Sequence, residues 1–250
     1  MAIHIRSNAE IEKLREAGAI VAQTHKLLEQ YIKPGVSTYE LDQLAEKFIL
    51  SKGATPSFKG YGGFPGTICA SINDEVVHGI PSHSRILKDG DIISLDIGAY
   101  LNGYHGDAAR THAVGHVDDE ALRLIQVTQE SFFEGVKYAK PGHHLHEISG
   151  AIQKYVESNG FSVVRDLVGH GVGTELHEEP QIPNYKPIGR GPKLQVGMVL
   201  AIEPMVNSGD YAVRVLDDEW TVVTHDGSLS AHYEHTIVIT DKGHELLTEC

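Results

Sequence analysis

"KPGVSTYELDQLAEKFILSKG" (Lys33–Gly53) occurs a second time in the chain, altered but recognisable, as "KPGHHLHEISGAIQKYVESNG" (Lys140–Gly160). Both stretches are 21 residues long, they lie 107 positions apart, and seven positions are identical. Phe48/Tyr155 and Ile49/Val156 are near matches. In each, Pro and Gly break the chain and a helical pattern follows; Ser37 or Thr38 can cap the first, which is expected to run to Lys52. Each stretch also follows an amphipathic helical pattern, over residues 8–31 (Ile11, Leu14, Ala17, Val21, Leu27, Leu28) and over Glu120 to Lys137. The same offset carries "LKDGDIISLDIG" (from Leu87) onto "LQVGMVLAIEPM" (from Leu194), with Gly90 on Gly197 and Asp96 on Glu203. Two helix–helix–strand units, roughly 10–115 and 118–240, predict one α+β domain over residues 1–250. Each half brings a carboxylate to the same strand position near a pseudo-axis. No Pro/Ser-rich or low-complexity segment divides the chain; "NYKPIGRGPKLQVG" (Asn184–Gly197) reads as a loop entering the second strand.

The first of those strands continues into "SLDIGAYLNGYHGDAARTHAV" (Ser94–Val114). Asn102-Gly103 is the signal for a two-residue primed turn, which needs positive φ at both central positions. That turn sets Leu101 opposite Tyr104 and Gly98 opposite Asp107. Side chains alternate with period two, so Asp96, Gly98 and Asp107 share one face, with the two aspartates diagonal neighbours roughly 7–8 Å apart.

Two further acids are embedded in apolar stretches that read as strands: Glu203 in "VLAIEPMV" and Glu234 in "SAHYEHTIVI". A lone buried carboxylate is costly, and four together are prohibitive without cations. His170, in the glycine-rich "VGHGVGTELHEEP", supplies a nitrogen ligand. This hard, oxygen-rich set suits Mn²⁺, Fe²⁺, Co²⁺ or Zn²⁺, and four carboxylates balance two divalent ions.

Composition narrows the class. With 250 residues and 41% hydrophobic content the chain can build a substantial core. A net charge of −13 argues against a nucleic-acid-binding surface. Cys69 and Cys250 form no CxxC pair, so neither a disulfide framework nor a zinc knuckle is expected. The N-terminal residues lack the apolar core of a signal peptide, and no apolar run approaches the ~20 residues of a membrane span. A reducing, cytoplasmic compartment and no membrane partner are expected. The sixteen histidines are expected to lie mostly at the surface.

"VVHGIP" (Val76–Pro81), "DIGAYLNGYHGD" (Asp96–Asp107), "GHGVG…HEEP" (Gly169–Pro180), "IEPM" (Ile202–Met205) and "YEHT" (Tyr233–Thr236) together resemble the type I methionine aminopeptidases. These share the pita-bread fold, a curved antiparallel sheet between pseudo-symmetric halves, with aminopeptidase P, prolidase and creatinase. The resemblance covers essentially the whole chain. It implies five metal ligands, Asp96, Asp107, His170, Glu203 and Glu234, with Asp107 and Glu234 bridging two divalent ions. It further implies that His177 hydrogen-bonds the scissile peptide and its tetrahedral intermediate, and that His78 contacts the substrate backbone. Tyr61, Phe64, Cys69 and Trp220 would wall a methionine pocket, and Glu203 would shuttle a proton. The implied activity is removal of the initiator methionine from nascent chains, carried out at the ribosome by a monomer, when a small uncharged residue follows. Hydroxide activated by two metals would attack the first peptide bond. The chain departs from the family at Leu176, where an aromatic is common, and at Phe58, where a cysteine is common; both alter the expected pocket shape. Two rival readings are an Xaa-Pro peptidase on the same fold and a binding module that has lost catalysis. The first is disfavoured by the missing N-terminal domain, the second by the presence of all five ligands.

Overall fold

The computed structural model describes residues 2–249, so Cys250 lies outside the described residues. Among the described residues, four α-helices form where the sequence supplies both a cap and an apolar stripe. Helix α1 spans Asn8–Glu29, with Ser7 and Glu10 in a reciprocal capping box. Helix α2 spans Thr38–Ser51; Ser37 is its cap, accepting from the Glu40 N–H at 3.2 Å, while Glu40 accepts from the Ser37 N–H at 2.8 Å. Helix α3 spans Asp119–Val136, capped by the Asp118 carboxylate. Helix α4 spans Leu145–Ser158; His144 takes the place of Ser37, and Glu147 accepts from its N–H at 2.9 Å. The helix ends fall within one or two residues of the periodic pattern, and Gln30, Lys52 and Lys137 serve as C-caps.

The 107-residue offset recurs in the backbone. Isolated antiparallel bridges join Ser37 to Ile86 and His144 to Lys193. The N–H of Gly35 donates to Leu87, and that of Gly142 donates to Leu194. α1 and α2 cover a four-stranded antiparallel sheet built from Thr55–Pro56, Ile68–Ile72, Ile92–Leu101 and Tyr104–Ala113. Val21, Leu28, Leu41 and Ile49 pack there with Ile93, Leu95 and Ile97. In the second half, α3 and α4 supply Phe132, Leu145, Ile148 and Ile152, which pack with Leu200, Ile202 and Ile237. Leu200, Ile202 and Ile237 belong to a five-stranded antiparallel sheet ordered Gly243–Leu246, His235–Thr240, Val199–Ile202, Gly169–Gly171, Glu178–Ile182.

The hairpin has the register its turn dictates. Leu101 pairs with Tyr104, Gly98 with Asp107 and Asp96 with Ala109, and Asn102 and Gly103 have φ of 52° and 88°. Odd-numbered Ile93, Leu95 and Ile97 point to the helices, which leaves Asp96 and Gly98 on the opposite face. The reading of Glu203 and Glu234 as residues within strands needs correction. Glu203 follows the end of Val199–Ile202, because Pro204 has no N–H to continue the ladder before Met205–Asn207 resumes. Glu234 lies in a similar break between Ser230–His232 and His235–Thr240.

Two threonines stitch the halves together. The Thr236 hydroxyl donates to Asp107 O at 2.8 Å and accepts from Asp107 N–H at 3.2 Å. The Thr111 hydroxyl does the same to the backbone of His232, both at 2.8 Å. Between them Glu234 N–H donates to Ala109 O at 2.9 Å. Helix α1 lies so close to the hairpin that a Cβ at Gly106 would fall 2.7 Å from Gly18 N and 2.8 Å from Gly18 Cα. Gly106→Ala is therefore expected to destabilise by about 1–3 kcal/mol, a fall in Tm of roughly 2–4 °C per kcal/mol for a chain of this size. Thermal unfolding of the variant checks this; an unchanged Tm would mean that α1 is not held backbone-to-backbone against the hairpin. Among the described residues no helix is long and apolar enough to cross a membrane.

Candidate metal centre

Asp96, Asp107, His170, Glu203 and Glu234 all line one cavity of about 470 Å³, and so do His78, His177, Tyr61, Phe64, Cys69 and Trp220. The four acids come from three pieces of backbone. Asp96 and Asp107 come from the hairpin, Glu203 from the strand end before Pro204, and Glu234 from the stitched segment between Thr111 and Thr236.

His170 fixes the polarity of the site. Its Nδ1–H donates to Gly171 O at 2.9 Å, which leaves the lone pair on Nε2. That Nε2 lies 3.4 Å from Glu203 Oε1 and 3.8 Å from Asp107 Oδ2. Burial pushes the imidazole down to about 3, so it is neutral and able to donate its lone pair. Ligand atoms of Asp107, His170 and Glu234 lie within 4.8 Å of one another, and all three residues are buried.

All four carboxyls are pushed upward, first of all by burial. For Asp107 and Glu234 the charges of the neighbouring acids add to the effect. Asp96 Oδ1, Asp107 Oδ1 and Glu234 Oε1 are buried without a hydrogen-bond partner. Orphaned, crowded oxygens facing an imidazole lone pair form an acceptor-only set. Such a set fits a hard cation and leaves an unmet desolvation cost without one.

The cavity's other wall is apolar. Phe58, Phe64, Cys69 and Leu176 form a buried cluster, with Ile80 and Trp220 packed on it. Cys69 pairs with Asp96 across the sheet, which turns its thiol toward the cavity. Burial raises that thiol well above its usual range, as do the acids beside it, so it is an apolar wall rather than a nucleophile. The two departures at positions 58 and 176 thus share one cluster. A ring at 58 fills space where an aliphatic chain stands at 176. Gly98, opposite Asp107, makes room for that ring, since a Cβ there would fall 2.7 Å from Phe58 Cε1.

His78 has a positive φ of 61°, a backbone position that L residues rarely occupy. Its imidazole is lowered to about 4 by burial and sits edge-on to Trp220. His177 lies above His170, ring centroids 4.3 Å apart, and its Nδ1 is 2.8 Å from the Tyr61 hydroxyl.

One residue at the site escapes the sequence reading. His232 Nε2 is 3.6 Å from Glu203 Oε2 and has no hydrogen-bond partner. Its signal was its place two residues before Glu234 in an extended stretch, hence on the same face. The expectation of mostly surface histidines hid it. His25, His170, His232 and His235 are buried, and several others are half-buried.

Residues 12–241 match the model of metallopeptidase family M24. The chain belongs to this family. It is 60% identical over 248 residues to a methionine aminopeptidase of Clostridium acetobutylicum, covering 99% of both chains. The crystal structure of a methionine aminopeptidase from Thermotoga maritima superposes with a TM-score of 0.98 at 48% identity over the full length of both chains. The fold is therefore the pita-bread fold, and within the M24 family the chain sits among the methionine aminopeptidases. A prolidase from Pyrococcus furiosus is 25% identical with a TM-score of 0.77, and the chain spans 65% of its length.

Proposed function

We propose that this chain is a metal-dependent methionyl aminopeptidase that removes the initiator methionine from nascent polypeptides. One observation carries the reading: four carboxyls, three of them with a buried oxygen that has no hydrogen-bond partner, meet the His170 lone pair in a cavity that is also lined by an apolar cluster. High identity to methionine aminopeptidases along the whole chain supports it.

Asp96, Asp107, His170, Glu203 and Glu234 would hold two divalent ions; Mn²⁺, Fe²⁺, Co²⁺ and Zn²⁺ all suit the donors. When bound, the ions supply Lewis-acid activation of water and of the peptide carbonyl. The remaining work falls to side chains. Phe64, Cys69 and Trp220, with Tyr61 at the rim, take the methionine side chain. His78 positions the substrate backbone. Glu203 carries a proton from the attacking water to the leaving amine. His177 Nδ1 is hydrogen-bonded to the Tyr61 hydroxyl; in the tautomer in which Tyr61 donates, His177 holds its proton on Nε2, where it donates to the oxygen that gains charge. The whole chain acts as one catalytic domain of two pseudo-symmetric halves, as a monomer in the cytoplasm, on chain ends emerging from the ribosome.

His78 and His177 both stand beside the cleaved bond and leave little room for the residue that follows it. Met-Ala-Ser is therefore expected to be cleaved far faster than Met-Leu-Ser or Met-Lys-Ser, and Ala-Pro peptides not at all. Parallel hydrolysis assays check this. Equal rates on the three methionyl peptides would remove the initiator-methionine assignment, and turnover of Ala-Pro alone would favour an Xaa-Pro peptidase.

A further inference from the structure

Glu178 follows His177 in the chain, and its carboxylate is held by a residue from the opposite end of the sequence. Arg6 donates from Nη2 to both Oε1 and Oε2 of Glu178, and each side chain is only 6% exposed. Arg6 is itself anchored. Its backbone N–H donates to Gly197 O at 2.8 Å, Nη1 lies 3.6 Å from Glu10 Oε1, and the guanidinium sits 5.8 Å from the centre of the Tyr104 ring. On the other side, the Glu178 carboxylate accepts from the Glu175 N–H and the Thr174 hydroxyl, at 3.2 and 3.3 Å. The loop from Gly173 to Glu178 is thus wound around one carboxylate. A Cβ at Gly173 would fall 2.0 Å from Arg6 Nη2, so the guanidinium packs directly on the loop backbone.

A buried ion pair is a weak stabiliser, because desolvation of both charges offsets their attraction. What the planar guanidinium supplies is a single geometry for the carboxylate. We propose that Arg6 is a positioning residue for the hydrolysis: acting through Glu178, it holds the Gly173–Glu178 loop so that His177 meets the oxygen of the scissile peptide. The proposal rests on the role given to His177 above.

The test is a double-mutant cycle on the metal-loaded enzyme, with Arg6→Ala, His177→Ala and the combination assayed for kcat, KM and metal content on Met-Ala-Ser. Arg6→Ala is expected to lower kcat roughly 10- to 10²-fold, the scale of a small misplacement of a catalytic group, with KM and metal content little changed. In the His177→Ala background the same substitution should lower kcat no further, because its effect passes through the missing imidazole. Parent-like kcat in Arg6→Ala, or an equal loss in both backgrounds, would overturn the proposal. If Arg6→Ala does not fold because Glu178 is left buried and unpaired, the pair replacement Arg6→Met with Glu178→Gln carries the same cycle and the same two outcomes. A parent-like His177→Ala would overturn the role of His177 itself, whereas a crippled His177→Ala beside a parent-like Arg6→Ala would overturn this proposal alone.

Discussion

Glu234→Gln is expected to empty the metal centre and to lower kcat/KM by at least about 10³-fold, the scale of losing several kcal/mol of Lewis-acid stabilisation at 1.36 kcal/mol per decade. The substitution keeps the shape of the side chain and its backbone hydrogen bond to Ala109 O. It removes one negative oxygen from a set in which Glu234 Oε1 has no other partner. The fold should survive, and the metal-free variant should be more stable than the metal-free parent at pH 8. The sign follows from linkage. The Glu234 carboxyl is pushed well above its usual range by burial and then by Asp107, Glu203 and Asp96. For a carboxyl raised in the folded state, stability is fullest below its ordinary value and is lost as pH rises toward the raised one. Gln carries no such penalty. Calorimetry of both metal-free proteins at pH 5 and pH 8 measures it, together with elemental analysis of the metal-loaded forms. A variant that binds two equivalents of metal and keeps its rate would show that Glu234 is not a ligand.

His177→Ala should separate catalysis from metal binding. Loss of one donor to a developing oxyanion typically lowers kcat by about 10²–10³-fold, and bound metal should be retained. His177 binds Tyr61 through Nδ1, whereas His170 is the imidazole whose Nε2 faces Glu203 and Asp107. His170→Ala is accordingly expected to lose metal. Metal content paired with kcat at saturating metal distinguishes the two. Equal metal loss in both variants would make His177 a ligand, and full activity in His177→Ala would make it an ordinary loop histidine.

The legible parts of this fold are those with local signals. Asn102-Gly103 determines the hairpin register, and with it the shared face of Asp96 and Asp107. The Ser37/Glu40 capping box and the apolar stripes of α1 to α4 mark the helices, and the repeat at an offset of 107 by itself relates Asp96 to Glu203. The strand break at Glu203 was equally readable, in Pro204. The seam between the halves was not. Thr111 meets His232 and Thr236 meets Asp107 across more than a hundred residues, and a threonine hydroxyl carries no local mark of the partner it will find. The Arg6–Glu178 pair is hidden for the same reason, being 172 residues apart. His232 was masked by the number of histidines around it. The roles of His78 and His177 come from their places in the family's motifs; neither spacing nor burial distinguishes a substrate contact from a satisfied loop histidine.

Hydrolysis of Met-Ala-Ser by exhaustively chelated protein, before and after titration with Mn²⁺, Fe²⁺, Co²⁺ or Zn²⁺, tests the central claim most directly. The chelated chain should keep its helices and sheets, because the two large apolar clusters do not include the acids. It should release no methionine until divalent metal is restored. Full turnover by folded protein free of divalent metal would contradict the account.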